Sequence, residues 1–137
     1  MSASSVRWWY PGTKGLLYKV AYRDGHCFVT HQSEKKLFVV EVRDAAKPVV
    51  VSAVQVTKEN DGPGSVPLRD DYVLTGTQFG SRNRLAVVDV KDLAKPRLAN
   101  EVLDPMLSQV NGTRVGNLYL SVAWDRNASE ALRRGPM

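Results

Sequence analysis

Two copies of a twelve-residue segment constrain the fold of this chain more than any other feature. Residues 37–48 are LFVVEVRDAAKP and residues 85–96 are LAVVDVKDLAKP, and eight of the twelve positions are identical. Each copy begins with a short apolar run rich in β-branched residues, which favours a largely buried strand. Each ends on a polar cluster with proline, which favours a turn. The chain therefore contains a repeated strand–turn unit.

Further similarities extend this unit in both directions. Upstream, CFVT at 27–30 aligns with YVLT at 72–75, and LYLS at 118–121 is a third copy of that piece. Hairpins are predicted at 23–26 and 69–71, and outer strands at 49–56 and 97–103. We expect Asp44 and Asp92 to bond the backbone of the turns that follow them. Only residues 128–133 have weak helical periodicity.

Four short strands in a repeated unit of this length are typical of a β-propeller blade. The prediction is an all-β, β-propeller-like chain of about two and a half to three four-stranded antiparallel blades. Its boundaries are 1–19 for an N-terminal aromatic or closing strand, 20–65 and 66–109 for two repeats, and 110–137 for a partial repeat with a basic tail. A β-sandwich containing a duplicated hairpin is the alternative interpretation.

The repeated segments resemble the LVIVD repeat family, whose units contain a G-L-x-I-V-D-V-S-D-P-x-x-P pattern. The resemblance covers roughly residues 20–123, and the sequence departs from the pattern at Glu41, Ala45 and Leu93. It implies a β-propeller-like fold and no catalytic residues, because the recognisable positions of the family are structural. The matching positions are Leu37, Val39, Val40, Val42, Asp44 and Pro48 in the first copy, and Leu85, Val87, Val88, Asp89, Val90, Asp92 and Pro96 in the second.

The number of units predicts that this chain works with a partner. A closed propeller usually has about 4–8 blades, whereas 137 residues provide about three units of this length. The chain is then a fragment or shortened relative of a longer propeller, a dimer that closes a ring, or an open stack covered by a large partner. In each case exposed sheet edges would promote aggregation unless they are covered.

Composition narrows the class of protein. There are 19 Lys+Arg and 14 Asp+Glu, a formal charge of +5, and 43% of residues are hydrophobic, which excludes a disordered chain. No apolar run approaches the ~20 residues of a membrane span. The first residues lack the apolar core of a signal peptide, which favours an intracellular location, although the compartment stays unknown. One cysteine excludes an intrachain disulfide framework.

Two groups of residues are candidates for partner binding. The consecutive aromatics Trp8, Trp9 and Tyr10 are predicted to anchor a protein partner, with packing inside a blade as the alternative. Four cations recur at the turn between the second and third strands of each unit, where they form a predicted basic rim, and a solvated surface is the alternative. Nucleic acid is a weaker candidate for this rim, because few aromatics are interleaved. The basic rim consists of Lys35, Lys36, Arg82 and Arg84.

Catalytic and metal-binding patterns are absent from the sequence. His26 and His31 are predicted to point to opposite faces of a strand, and Cys27 is predicted to be a core residue. No cofactor, metal ligand or catalytic residue is predicted. The leading hypothesis is a non-catalytic interaction or scaffold module within a larger assembly. The alternatives are a lectin-like homo-oligomer that binds small ligands or glycans between blades, and a fragment of a larger propeller enzyme.

Overall fold

The computed structural model of the chain describes residues 12, 14–15, 17–58, 61–64, 66, 68–78, 84–103, 111–122 and 132–136. Every regular element in these residues is a β-strand, as predicted. No helix in the described ranges has the length and apolar character needed to cross a membrane. The strands are β1 Leu17–Arg23, β2 His26–His31, β3 Lys36–Glu41, β4 Val49–Gln55, β5 Asp61–Pro63, β6 Leu68–Arg69, β7 Tyr72–Gln78, β8 Arg84–Asp89, β9 Arg97–Leu103, β10 Asn111–Val115, β11 Leu118–Val122 and β12 Leu132–Pro136.

The strands form three antiparallel sheets, each of which follows chain order. The first sheet is β1-β2-β3-β4, the second is β5-β7-β8-β9 with β6 also paired to β7, and the third is β10-β11-β12. Within the part of the chain that the structure describes, the sheets do not close into a ring. The predicted outer strands are confirmed as β4 and β9, which occupy edges of their sheets.

The same backbone irregularities occur at equivalent places in the first two sheets. The β3–β4 register shifts between Val39 and Val40, and the β8–β9 register shifts between Val87 and Val88, the same two positions of the twelve-residue repeat. A bulge adds one residue to a strand and increases its local twist. The two outer strands therefore bend at matching positions.

The predicted turn contacts of the two aspartates are confirmed. Asp44 accepts a hydrogen bond from the Ala46 amide through Oδ1 at 3.0 Å, and Asp92 accepts the same bond from Ala94 at 3.0 Å. The amides of Lys47 and Lys95 donate to the carbonyls of Asp44 and Asp92 at 2.9 and 3.0 Å. The side chains thus hold the turns that return the chain to the outer strands.

Replacing Asp92 with alanine should lower the free energy of unfolding by about 0.5–1.5 kcal/mol, the net value of one hydrogen bond. Asp92→Asn is the matched control, because its amide oxygen still accepts the Ala94 bond. Urea unfolding of the three proteins measures the difference. An asparagine variant as unstable as the alanine variant would contradict this role for the side chain.

The predicted hairpin at 23–26 is confirmed, and its geometry corrects the predicted alignment of the repeats. Asp24 and Gly25 have positive φ values of 48° and 78°, the conformation of the favoured two-residue hairpin turn. His26 pairs with Glu41, and Tyr72 pairs with Asp89. Tyr72 therefore occupies the place of His26, one residue away from the predicted equivalence with Cys27. This correction matters because a shift of one residue exchanges the two faces of a strand.

The weak helical prediction for 128–133 is wrong at its last two residues. Leu132 and Arg133 belong to β12, where they pair with Val122 and Ser121 of β11. Hydrogen bonds to a neighbouring strand override a weak local preference. The other residues of that prediction lie outside the described part of the chain.

The main core lies between the first and second sheets. Phe28, Leu37 and Val39 of the first sheet belong to the same buried cluster as Val73, Ala86 and Val88 of the second. Burial of apolar surface stabilises a fold by about 25 cal/mol per Å², so this cluster stabilises the packing of the two sheets.

Non-equivalent faces of the two sheets meet in this core. In the aligned repeats, Leu37 and Val39 correspond to Leu85 and Val87, yet the second sheet contributes Ala86 and Val88 instead. The positions in the first sheet that correspond to Ala86 and Val88 lie on its other face, where Phe38 and Val40 form a separate buried cluster with Val29. The two sheets are therefore stacked with the same orientation, so that one face of the first sheet contacts the opposite face of the second.

Candidate functional site

The structure describes three positions of the predicted basic rim. Lys35 Nζ donates to the carbonyl of Lys58 at 3.3 Å, so this turn lies beside the connection that follows β4. Lys36 Nζ lies 3.5 Å from Glu34 Oε2 in a half-buried ion pair, which neutralises part of the local positive charge. Arg84 pairs with Leu103 as Lys36 pairs with Gln55, and so begins the corresponding strand of the second sheet.

The remaining predicted partner-binding residues are not among those that the structure describes. Trp8, Trp9 and Tyr10 of the aromatic anchor, and Arg82 of the basic rim, all lie outside the described ranges. Their proposed roles stay predictions. Lys35 lies in the turn between β2 and β3, Lys36 is the first residue of β3, and Arg84 is the first residue of β8.

An apolar groove on the second sheet is the surface that sequence reasoning missed. It has a volume of about 520 Å³ and lies on the face turned away from the main core. Tyr72 is 39% exposed and Val102 47% exposed, although both are large apolar side chains on paired strands. Its apolar lining is Tyr72, Leu74, Leu85, Val87, Ala99 and Val102, and Arg69, Asp70 and Asn100 complete it.

The groove is chemically equivalent to a face that is packed elsewhere in the molecule. Leu85 and Val87 correspond to Leu37 and Val39, which are 0% exposed in the main core. The groove of the second sheet thus contains side chains equivalent to those with which the first sheet packs against the second. Only the repeat combined with the observed register identifies this surface, because the apolar runs fill both faces of each strand.

The two histidines lie on opposite faces of β2, as predicted. His31 stacks near Phe38, with ring centroids 5.8 Å apart, and its Nδ1 accepts the Glu34 amide at 3.1 Å. His26 contributes to a pocket beside Phe28, on the face of the main core. No group of three or more metal-ligating side chains occurs among the described residues.

Cys27 is half-buried and packs against the cluster on the outer face of the first sheet. Burial raises the pKa of its thiol, because desolvation disfavours the thiolate. A raised pKa leaves less of the reactive thiolate at neutral pH. This environment favours a packing role for the side chain.

Alkylation of Cys27 by iodoacetamide at neutral pH should be several-fold slower in the folded protein than in urea. Burial raises the pKa of the Cys27 thiol in the folded protein. The contribution of this thiol to the free energy of unfolding is therefore present below the pKa that it has in the unfolded chain, and it is lost as the pH rises through the folded pKa. Mass spectrometry of timed samples measures the rate. Equal rates in the two states would contradict the burial of this thiol.

Comparisons of the chain with protein-family models, with curated proteins and with solved structures returned no match. The groove, the basic rim and the packing of the sheets therefore provide the physical basis for a functional proposal.

Proposed function

We propose that this chain is a non-catalytic interaction module whose groove on the second sheet binds a second copy of the chain. The observation that carries the proposal is the equivalence of the groove with a packed face. Leu85 and Val87 repeat the side chains that join the first two sheets, and Tyr72 and Val102 extend this apolar surface. Exposed apolar patches of this kind are typical of protein–protein interfaces.

The stacking of non-equivalent faces supports a propeller-like repeat of the kind that the LVIVD resemblance implies. In such an array each sheet presents one face to the sheet before it and the other to the sheet after it. A sandwich formed by two-fold packing of a duplicated unit would instead place equivalent faces together. The matched bulges and aspartate turns give both units the same bend, which favours the array.

The third sheet, β10-β11-β12, leaves the groove open, since Tyr72 and Val102 are exposed in its presence. A second copy is therefore the occupant that we propose. In the main core, the face of Leu37 and Val39 packs against Ala86 and Val88. The positions of the first sheet that are equivalent to Ala86 and Val88 are Phe38 and Val40, which are 6% and 1% exposed and therefore already covered. Two grooves can bury each other across a two-fold axis, the commonest symmetry of soluble homo-oligomers. The module is accordingly a dimer through the second sheet.

The experiment that tests this function is a light-scattering mass measurement across a micromolar concentration series. We expect a mass of twice the 15.2 kDa of one chain, falling toward one chain on dilution. A well-behaved species of the single-chain mass at every concentration would contradict the proposal. A mass that grows without limit would contradict the two-fold arrangement.

A further inference from the structure

A second cavity, of about 220 Å³, lies where the first two sheets meet at their turns. It differs from the groove in being lined mostly by charged side chains. These side chains come from the β1–β2 hairpin, from the second residue after β3, and from the β6–β7 and β8–β9 connections of the second sheet. They are Arg23, Asp24, His26, Arg43, Asp71 and Lys91.

Local contacts hold two of the cations in this cavity. The Arg23 guanidinium donates to the carbonyl of Asp70 in the second sheet, and its Cζ lies 5.7 Å from the centre of the Phe28 ring. The stem of Arg43 packs on the hairpin at Gly25, where an added Cβ would lie 2.6 Å from Arg43 Cγ. Glycine therefore permits both the positive φ of the turn and the close approach of the arginine.

The charges of the cavity are not neutralised by ion pairs with one another. Arg43 and Lys91 are exposed, occupy equivalent places in the two repeats, and take no part in the ion pairs of the described residues. The carboxylates of Asp24 and Asp71 lie at the same opening and likewise form no ion pair within the described ranges. Three permanent cations face two carboxylates, so the opening has a net positive charge that attracts anions.

His26 adds a directional group to this cavity. The side chain is only 7% exposed, and its Nδ1 lies 3.1 Å from the carbonyl of Asp24. When Nδ1 carries the hydrogen, it donates to that carbonyl, and Nε2 is left to accept a hydrogen bond. Inorganic hydrogenphosphate and the monoanion of a phosphate monoester both provide such a donor through a P–OH, and both provide anionic oxygens for the cations. Acetate provides only the anionic oxygens.

We propose that this cavity binds a phosphate group, either as inorganic phosphate or as part of a phosphate monoester. Arg43 and Lys91 bind the anionic oxygens, and His26 accepts from the protonated one. The cavity holds residues of both sheets, so the bound group also bridges their turns. This function is independent of the groove and of dimer formation.

The test is a titration of the protein with inorganic phosphate, followed through the ring resonances of its two histidines. We expect the His26 resonances to shift at millimolar phosphate while those of His31, on the other face of β2, stay unchanged. Acetate should shift them less at equal ionic strength. Glycerol phosphate is the comparison for a monoester, titrated at about pH 6, where a large fraction of it keeps its P–OH. Tighter binding of it than of inorganic phosphate would identify the ester as the ligand class.

Variants distinguish a built site from general attraction to a basic protein. Arg43→Gln and Lys91→Gln should each weaken phosphate binding about fivefold, because each removes one charge close to the anion. Lys47→Gln and Lys95→Gln are matched controls, further along the same turns and outside the cavity. Unshifted His26 resonances, or equal weakening by the control variants, would overturn the proposal.

Discussion

Replacing Leu37 with alanine is expected to lower the free energy of unfolding by about 2–5 kcal/mol, the range for a buried leucine whose removal leaves a cavity. Leu37 is 0% exposed and lies in the cluster that joins the first two sheets. Its loss removes apolar contacts on both sides of that interface. Urea unfolding, at a dilution where the chain is monomeric, measures the effect.

Leu85→Ala is the matched control for this prediction. Leu85 occupies the equivalent position in the second repeat, but it lies half-buried in the groove. We expect a loss of about 1 kcal/mol, because less apolar surface is removed from contact with protein. Equal losses at the two positions would show that equivalent faces have equal burial, which would contradict the stacking described above.

Replacing Val87 with lysine is expected to weaken dimer formation about 30-fold or more, the effect of losing about 2 kcal/mol at the centre of an interface. The substitution would place a charged ammonium group beside Leu74 and Leu85, whose apolar surface is buried in the proposed dimer. Light scattering of the variant should give the mass of a single chain at concentrations where the unaltered protein is dimeric. Circular dichroism and urea unfolding establish that the variant remains folded.

Val49→Lys provides the control for the charge itself. Val49 is 57% exposed on β4, outside the groove, so the same substitution there adds the same charge to an exposed strand. This variant should keep the dimer mass. If both variants dissociate equally, general charge repulsion rather than the groove controls association, and the proposed interface is wrong.

Local sequence patterns were sufficient to predict much of the first two sheets. The buried strands β3 and β8, the outer strands β4 and β9, and the aspartate turns are encoded in adjacent residues, and all of them are confirmed. The hairpin at Asp24 and Gly25 is encoded in the same way, since few residues other than glycine adopt its positive φ readily. These elements depend little on distant parts of the chain.

The register of β7 and the choice of packed face could not be predicted in this way. Val39 and Val40 are both buried, on opposite faces of β3, so the apolar pattern has no period that distinguishes the two faces. Pairing with the neighbouring strand decides which residue of β7 points to the core. That pairing depends on residues far apart in sequence, and the predicted alignment was consequently displaced by one residue.

The candidate sites also differ in whether adjacent residues or distant parts of the chain form them. Lys35 and Lys36 are predicted from one recurring turn; Lys35 lies in that turn and Lys36 begins β3 directly after it. The groove and the charged cavity form only when separate turns and faces come together, as Arg23 and Lys91 do. The recurrence of a cation at Arg43 and Lys91 was the one signal in the sequence that pointed toward the cavity.

The stacking of non-equivalent faces is tested most directly by methyl–methyl nuclear Overhauser effects between the first two sheets. We expect cross-peaks from Leu37 and Val39 to the core residues of the second sheet, Val73, Ala86 and Val88. Cross-peaks from Leu37 and Val39 to Leu85 and Val87 instead would mean that equivalent faces pack together. That result would contradict both the propeller-like array and the open groove.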